Sequence, residues 1–254
     1  MKICYKPPSI TPNELRLQLI KDNILDKDSC YDGRLDPQAR GLMKFLEKNE
    51  KKNMHLRIRD NNKTYEAELI LGTSTDTDDI MGIFDRDYIF SESKYAKIKI
   101  LNEIEFLKDV LKNAPFQHKQ KYHSYSSFTL RKNGERLPLW KWKQRNNLCN
   151  SEIPEKDVTL FDIEILDYIS YNYTELLDLF IKRIDNVNRN HNFKQDEIIN
   201  MWNNLKSEKL SKTIDSIKIR LKVSSGYYIR QFVNDLKNKI DFPIMVHDIN
   251  RTEI

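Results

Sequence analysis

In the stretch Tyr31–Gly41, YDGRLDPQARG, the carboxylate of Asp36 stands immediately before Pro37. Asp followed by Pro is what a helix N-cap and a first-turn proline look like, yet a loop carboxylate is also a group that can act as a nucleophile. Pro37 biases Asp36 toward an extended backbone, which suits both uses, and Asp36 is expected to lead into a helix while its carboxylate stays turned to the site. A second stretch, RKNGERLPLWKWKQR from Arg131 to Arg145, holds six basic residues, one acid and two tryptophans. Arg131, Lys132, Lys141 and Lys143 could neutralise phosphates while the indoles offer flat faces to unstacked bases. A solvated hairpin and helix with inward-packed tryptophans fits the same letters. The run TSTDTDD at 73–79 gathers three acids, but it lacks the turn glycine and distal glutamate of a calcium loop and reads as a polar turn network. The five histidines and three cysteines show neither ligand spacing nor a CxxC pair, so neither a metal site nor a disulfide framework is expected.

The elements that must position these groups follow from periodicity. Composition, with 39% apolar and 32% charged residues over 254 positions, is that of a globular chain, and the net charge of +5 favours a polyanionic partner. No apolar run approaches the roughly 18 residues of a membrane span, and MKICYKPPS lacks the apolar core of a signal peptide, so an intracellular protein is expected. KICYKPPSITPNELRLQLI predicts a short strand, a turn and a helix starting near residue 12, with Thr11, Pro12 and Glu14 as its start signals. MHLRIRD and KTYEAELIL, which carries Tyr65, alternate as a hairpin would. ILNEIEFLKDVLKNA predicts an amphipathic helix. KDVTLFDIEIL predicts a strand with Phe161, Ile163 and Ile165 on one face and acids on the other, and SIKIRLKV at 216–223 is expected beside it, its basic face meeting those acids. Residues 168–213 predict two helices whose asparagine-rich join, NVNRNHNF, is expected to be the mobile loop. The order of elements, without a steady βαβ rhythm, gives an α+β domain on a largely antiparallel sheet.

Taken together and in order, the segments resemble the TruB family of pseudouridine synthases over nearly the whole chain. YKPPSIT is similar to its lysine-proline turn, whose Lys6 is expected to bind substrate, and GRLDPQARGLM to its segment with the catalytic aspartate, placing that role on Asp36. KTYEAELILGTSTDTDDIMG resembles the stretch with the active-site tyrosine, at Tyr65, and SYSSFTLRKNGERLPLW the segment that follows. VSSGYYIRQFVNDL resembles the motif carrying a second tyrosine and an arginine, at Tyr228 and Arg230, and INRT places an apolar wall residue at Ile249.

The resemblance implies a pseudouridine synthase fold with a central RNA-binding cleft. It also implies isomerisation of a flipped-out uridine, without cofactor or metal. Asp36 would be the nucleophile, Arg230 the fixed cation beside it, Tyr65 the stacking platform with its hydroxyl near the atom that must lose a proton, and Tyr228 a partner that packs beneath the site or shares that proton transfer. The expected substrate is the T-loop uridine in the tRNA T-arm, position 55 of tRNA, bound without membrane or obligatory protein partner by a monomer. His118 and Lys119 are expected to join the basic segment at the phosphates. Tyr31 stands where the bacterial pattern has histidine and is expected to contact the RNA loop. One catalytic domain over 1–254 is expected, with a helical insertion at 168–213 and without the small RNA-binding domain of the PUA type that many relatives carry. A guide-RNA-directed enzyme of the dyskerin type and a non-catalytic RNA-folding chaperone are the alternatives.

Overall fold

The computed structural model describes residues 1–47, 50, 62–85, 105–113, 116–240 and 242–254. Its scaffold is one eight-stranded sheet. Strands β1 (Lys2–Lys6), β3 (Arg40–Leu46), β10 (Ile244–Glu253), β4 (Lys63–Leu71), β9 (Thr213–Val223), β8 (Glu155–Asn172) and β5 (Gln117–Lys121) lie in that order, and β2 (Cys30–Asp32) pairs with β3. Every pairing is antiparallel except that of β10 with β3. Beside the sheet, β6 (Thr129–Lys132) and β7 (Glu135–Pro138) form a small hairpin. Its turn residues Asn133 and Gly134 both have positive φ, 52° and 82°, the geometry an Asn-Gly turn supplies. The MHLRIRD partner expected for β4 lies outside the described residues, as do residues 100–104 and 114 of ILNEIEFLKDVLKNA, of which 105–112 are helical.

Helix α1 (Pro12–Lys21) begins as the sequence predicts. Thr11 is its N-cap, its hydroxyl accepts from the Glu14 N–H, and Glu14 returns a bond to the Thr11 N–H. The expected pairing of β8 with β9 is also present, with Asp162 opposite Lys222 and Glu164 opposite Arg220. Arg220 reaches Glu164 at 2.8 Å and Glu66 at 3.3 Å. One face assignment is corrected. A register shift between Leu160 and Asp162 makes Phe161 the extra residue, and it stands 40% exposed instead of beside Ile163 and Ile165. Val158 and Leu160 take the core-facing places instead.

Two apolar clusters sandwich the sheet. On one face Tyr65, Ala67, Leu69, Ile217, Ile219 and Leu221 pack with α1, the 105–112 helix and α5 (Ile229–Lys237). On the other, Ile70, Ile214 and Met245 pack under α3 (Tyr173–Asp185) and α4 (Gln195–Glu208), anchored by Phe180 and the fully buried Trp202. Those helices occupy the middle of the expected 168–213 segment. Its ends are strand, because β8 runs on to Asn172 and β9 starts at Thr213. The short α2 (Leu139–Gln144) follows the β6–β7 hairpin.

Candidate active site

Asp36 does not start a helix. The chain leaves β2 through Gly33, turns over Asp36–Ala39 with the Ala39 N–H donating to the Asp36 carbonyl at 3.1 Å, and enters β3 at Arg40. Lys6 fixes this turn from below. Its ammonium donates to the carbonyls of Pro7 (3.0 Å), Pro37 (3.0 Å) and Ala39 (2.6 Å). Lys6 is 0% exposed, so the expectation that it binds substrate is corrected: it supports the aspartate's loop. Burial pushes its ammonium down to about 7, with Asp36 pulling the other way.

Arg230, the second residue of α5, meets Asp36 as the resemblance implies. Its Nε donates to Asp36 Oδ2 at 2.8 Å, its Nη1 to the Thr77 carbonyl at 3.1 Å and its Nη2 to the Tyr125 carbonyl at 3.4 Å. On the far side Nη1 stands 3.4 Å from Asp79 Oδ2, so the guanidinium is shared between two carboxylates. Burial works against its charge, but Asp36 and Asp79 outweigh it and hold the cation more firmly than usual. Burial pushes the Asp79 carboxyl up, and Arg230 opposes that. The rest of TSTDTDD is the polar turn expected. Thr77 donates to Asp79 Oδ1 at 2.8 Å, and Asp76 accepts from the Ile83 N–H and the Tyr125 hydroxyl. Asp78 lies between His123 (2.9 Å) and Lys237 (2.6 Å). Burial raises the Asp78 carboxyl, but these partners outweigh it and lower it.

Two cavities open on either side of Asp36 and Arg230. The smaller, about 450 Å³, is lined by Tyr65, Tyr228, Ile249, Lys63, Lys156 and Arg251 among others. Tyr65 is 6% and Ile249 8% exposed, so the cavity offers an aromatic ring and an apolar wall beside the carboxylate. Tyr228 caps α5, and the buried Gln120 brackets its backbone, accepting from its N–H at 2.9 Å and donating to its carbonyl at 3.1 Å. Burial and then Asp36 raise the Tyr228 hydroxyl to about 12. The Lys156 ammonium lies 4.6 Å from the ring centroids of both Tyr122 and Tyr228. Burial pushes Lys63 and Lys156 down to about 8, with Arg251 adding to the first and Lys63 to the second.

The larger cavity, about 610 Å³, is lined by Tyr31, Trp140 and Lys143, and by His191, Phe193 and Lys194 of the join between α3 and α4. The basic segment thus divides. Trp142 packs inward at 2% exposure and donates to the Leu130 carbonyl, whereas Trp140 faces the cavity. Lys132 is tied to Glu152 at 2.8 Å and Arg145 to Glu135 at 2.6 Å, Arg131 is exposed outside the cavity lining, and the exposed Lys141 holds its ammonium 5.3 Å from the Trp140 ring centroid. His118 packs edge-on against Tyr227, and Lys119 is exposed on β5.

Sequence reasoning missed Asp79, Lys156 and Gln120. Asp79 lies within TSTDTDD, where its letters do not set it apart from the two other turn acids. Lys156 and Gln120 sit in ordinary strand sequence, where nothing marks their partners.

A profile described as TruB family pseudouridylate synthase, N-terminal domain, matches residues 24–179. The tRNA pseudouridine synthase B of Ureaplasma urealyticum serovar 10 is 27% identical over 252 residues, covering 99% of this chain and 84% of that protein. That of Ureaplasma parvum serovar 3 is 26% identical over 239 residues, covering 94% and 79%. Among solved structures, an H/ACA RNP bound to a substrate RNA containing 2′-deoxyuridine aligns at 13% identity with a TM-score of 0.47. A Cbf5-Nop10-Gar1 complex aligns at 14% with the same score. The chain covers 99% and 98% of itself in these two alignments and spans less than half, 46%, of each solved chain.

Proposed function

Because the chain belongs to the TruB family of pseudouridylate synthases, we propose that it is an isomerase converting a uridine of tRNA to pseudouridine, with the T-loop uridine as its target. The observation that carries this reading is the Asp36–Arg230 pair, 2.8 Å apart, at the meeting of two cavities beside Tyr65. A cavity of about 450 Å³ lies in the range that encloses small ligands, and it suits a nucleotide turned out of its stack.

In the reaction the N1–C1′ bond breaks, the uracil turns, a C5–C1′ bond forms and C5 gives up its proton to nitrogen, so atoms balance without a co-reactant. Asp36 is the nucleophile, at the anomeric carbon or at the electron-poor ring double bond. Its Oδ2 takes the Arg230 hydrogen bond, which fixes the carboxylate without neutralising it through a proton. Tyr65 carries the ring of the base, Ile249 closes the wall, and Tyr228 stands near the proton that must move. The high-lying Tyr228 hydroxyl suits a donor and not a phenolate base.

The protein acts as a monomer inside the cell, without guide RNA or protein partner. The test is unmodified tRNA transcript incubated with purified wild-type or Asp36→Asn protein and nothing else. Pseudouridine from wild type alone, with RNA binding kept by the variant, is expected. Product from Asp36→Asn would remove Asp36 from the chemistry. None from wild type would leave the guide-directed and chaperone alternatives standing.

A further inference from the structure

The join between α3 and α4 is more strongly built than an ordinary connecting loop. Arg189 bridges Asp185 at 2.7 Å and Asp196 at 2.5 Å, and Asn188 reaches Glu14 at 3.0 Å. The buried Gln195 donates to the Val187 carbonyl at 3.3 Å and accepts from the Phe193 N–H at 3.2 Å. Asn192 and Lys194 are held in the left-handed region, at φ 52° and 60°, a conformation non-glycine residues keep only where their surroundings enforce it. These constraints aim the Phe193 ring into the larger cavity, where its centroid stands 5.9 Å from that of Trp140 at an interplanar angle of 60°. Gln144 of α2 donates to the Asn192 carbonyl at 3.4 Å, so the join and the basic segment form one wall.

That wall faces the catalytic pair. Asp36, Arg230, Arg34, Leu35 and Ser127 line both cavities, so a strand that delivers a base to Tyr65 has a neighbouring nucleotide at the mouth of the larger one. The acids of that cavity are engaged, Asp76 by Tyr125 and the Ile83 N–H, Asp79 by Arg230 and Thr77. The exposed Lys143 and Lys194 remain as its rim charges. Two aromatic rings meeting at an angle, with cations at the edge, match an unpaired nucleotide: a flat base against the rings and a phosphate at the rim. An apolar peptide would leave the Lys143 ammonium without counter-charge, whereas Lys194 has the exposed Glu197 at 3.5 Å.

We infer that the Phe193–Trp140 corner of the α3–α4 join is a second RNA subsite, which stacks an unpaired nucleotide adjoining the target uridine on the same strand. The subsite rests on the proposed function. It gives the two helices, which cover the sheet, a role in holding substrate.

The test compares three T-arm hairpin RNAs: intact, abasic immediately 5′ of the target uridine, and abasic immediately 3′ of it. Each is measured with wild type, Phe193→Ala and Phe193→Tyr by equilibrium binding and by KM. Loss of one stacked base weakens binding by roughly five- to a hundred-fold. Phe193→Ala should show that loss on intact RNA, and Phe193→Tyr should retain wild-type affinity. Wild type should show the loss on one of the two abasic RNAs, and on that RNA Phe193→Ala should lose nothing more. The wild-type comparison needs no variant, so an unstable Phe193→Ala leaves it decisive. Equal wild-type affinity for all three RNAs, or a Phe193→Ala loss identical on all three, would overturn the subsite while leaving the proposed function intact. Wild type that neither binds nor modifies any of them would overturn both.

Discussion

Replacing Arg230 by lysine separates two accounts of the catalytic pair, a fixed positive charge or a planar fork. The guanidinium makes four contacts at once: Asp36 at 2.8 Å, the Thr77 carbonyl at 3.1 Å, Asp79 at 3.4 Å and the Tyr125 carbonyl at 3.4 Å. A lysine ammonium is a single point near the end of the same path, so it keeps the charge and one strong bond but cannot span two carboxylates and two carbonyls. Two hydrogen bonds to carbonyls are lost, each worth about 1 kcal/mol net and more where the acceptor is left buried, so unfolding in urea should show a loss of about 2–4 kcal/mol. The rate should fall further than stability suggests. Freed from the fork, the carboxylate can shift by an ångström, and misplacement on that scale costs roughly a hundredfold in rate. Single-turnover pseudouridine formation on tRNA transcript at saturating Arg230→Lys protein reads this directly. A rate within a few-fold of wild type would refute the fork and leave a point charge as sufficient.

Three further outcomes follow from the same geometry. Lys63 and Lys156 are charged below about 8 and lose their charge above it. RNA affinity should therefore be full at lower pH and fall as pH rises through that value, and Lys156→Gln should make the fall shallower; an unchanged pH profile would exclude this ammonium from phosphate binding. Trp202→Ala removes a fully buried ring packed 5.0 Å from Phe84 and 5.2 Å from Phe180, and it orphans the Ile80 carbonyl that the indole N–H meets at 3.1 Å. Its unfolding free energy should drop by about 3–5 kcal/mol, and a drop under about 1 kcal/mol would show that α3 and α4 are not integral to the domain. Gly41→Ala would place a methyl 2.3 Å from the Arg251 carbonyl oxygen at φ +116°, where β3 meets β10. A loss of about 3 kcal/mol or more in denaturant titration is expected, and wild-type stability would disprove that close approach.

Local rules were legible where the cause was local. The Thr11–Glu14 box, the alternation of β9 and the charge pairing of Asp162 and Glu164 with Lys222 and Arg220 all follow from neighbouring letters. The bulge at Phe161 was not legible, because a register shift answers to the partner strand: it puts Val158 and Leu160 on the face of Ile163 and Ile165 and leaves Phe161 out. Lys6 misled for a related reason. A lysine beside two prolines reads as exposed, and only the fold brings Pro37 and Ala39, more than thirty residues away, onto its ammonium. Asp36 and Arg230 could be paired from a family resemblance, whereas Asp79 could not be separated from its neighbouring turn acids until Arg230 stood beside it.

The choice between cap and catalyst at Asp36 turns on what its oxygens do. A helix N-cap spends its carboxylate on backbone N–H groups of the first turn, and an oxygen so engaged is a poorer nucleophile and faces the helix axis. Here the turn is closed by the Asp36 carbonyl, which takes the Ala39 N–H, while Lys6 satisfies the carbonyls of Pro37 and Ala39 from below. Among the described residues, hydrogen bonds to the Asp36 side chain fall on Oδ2 alone, from Arg230. The side chain keeps 31% of its surface accessible at the junction of two cavities. A strand-entering turn therefore does what a helix start could not: it holds the carboxylate through the main chain and one arginine, and leaves the second oxygen without a donor among the described residues on a side chain that lines both cavities.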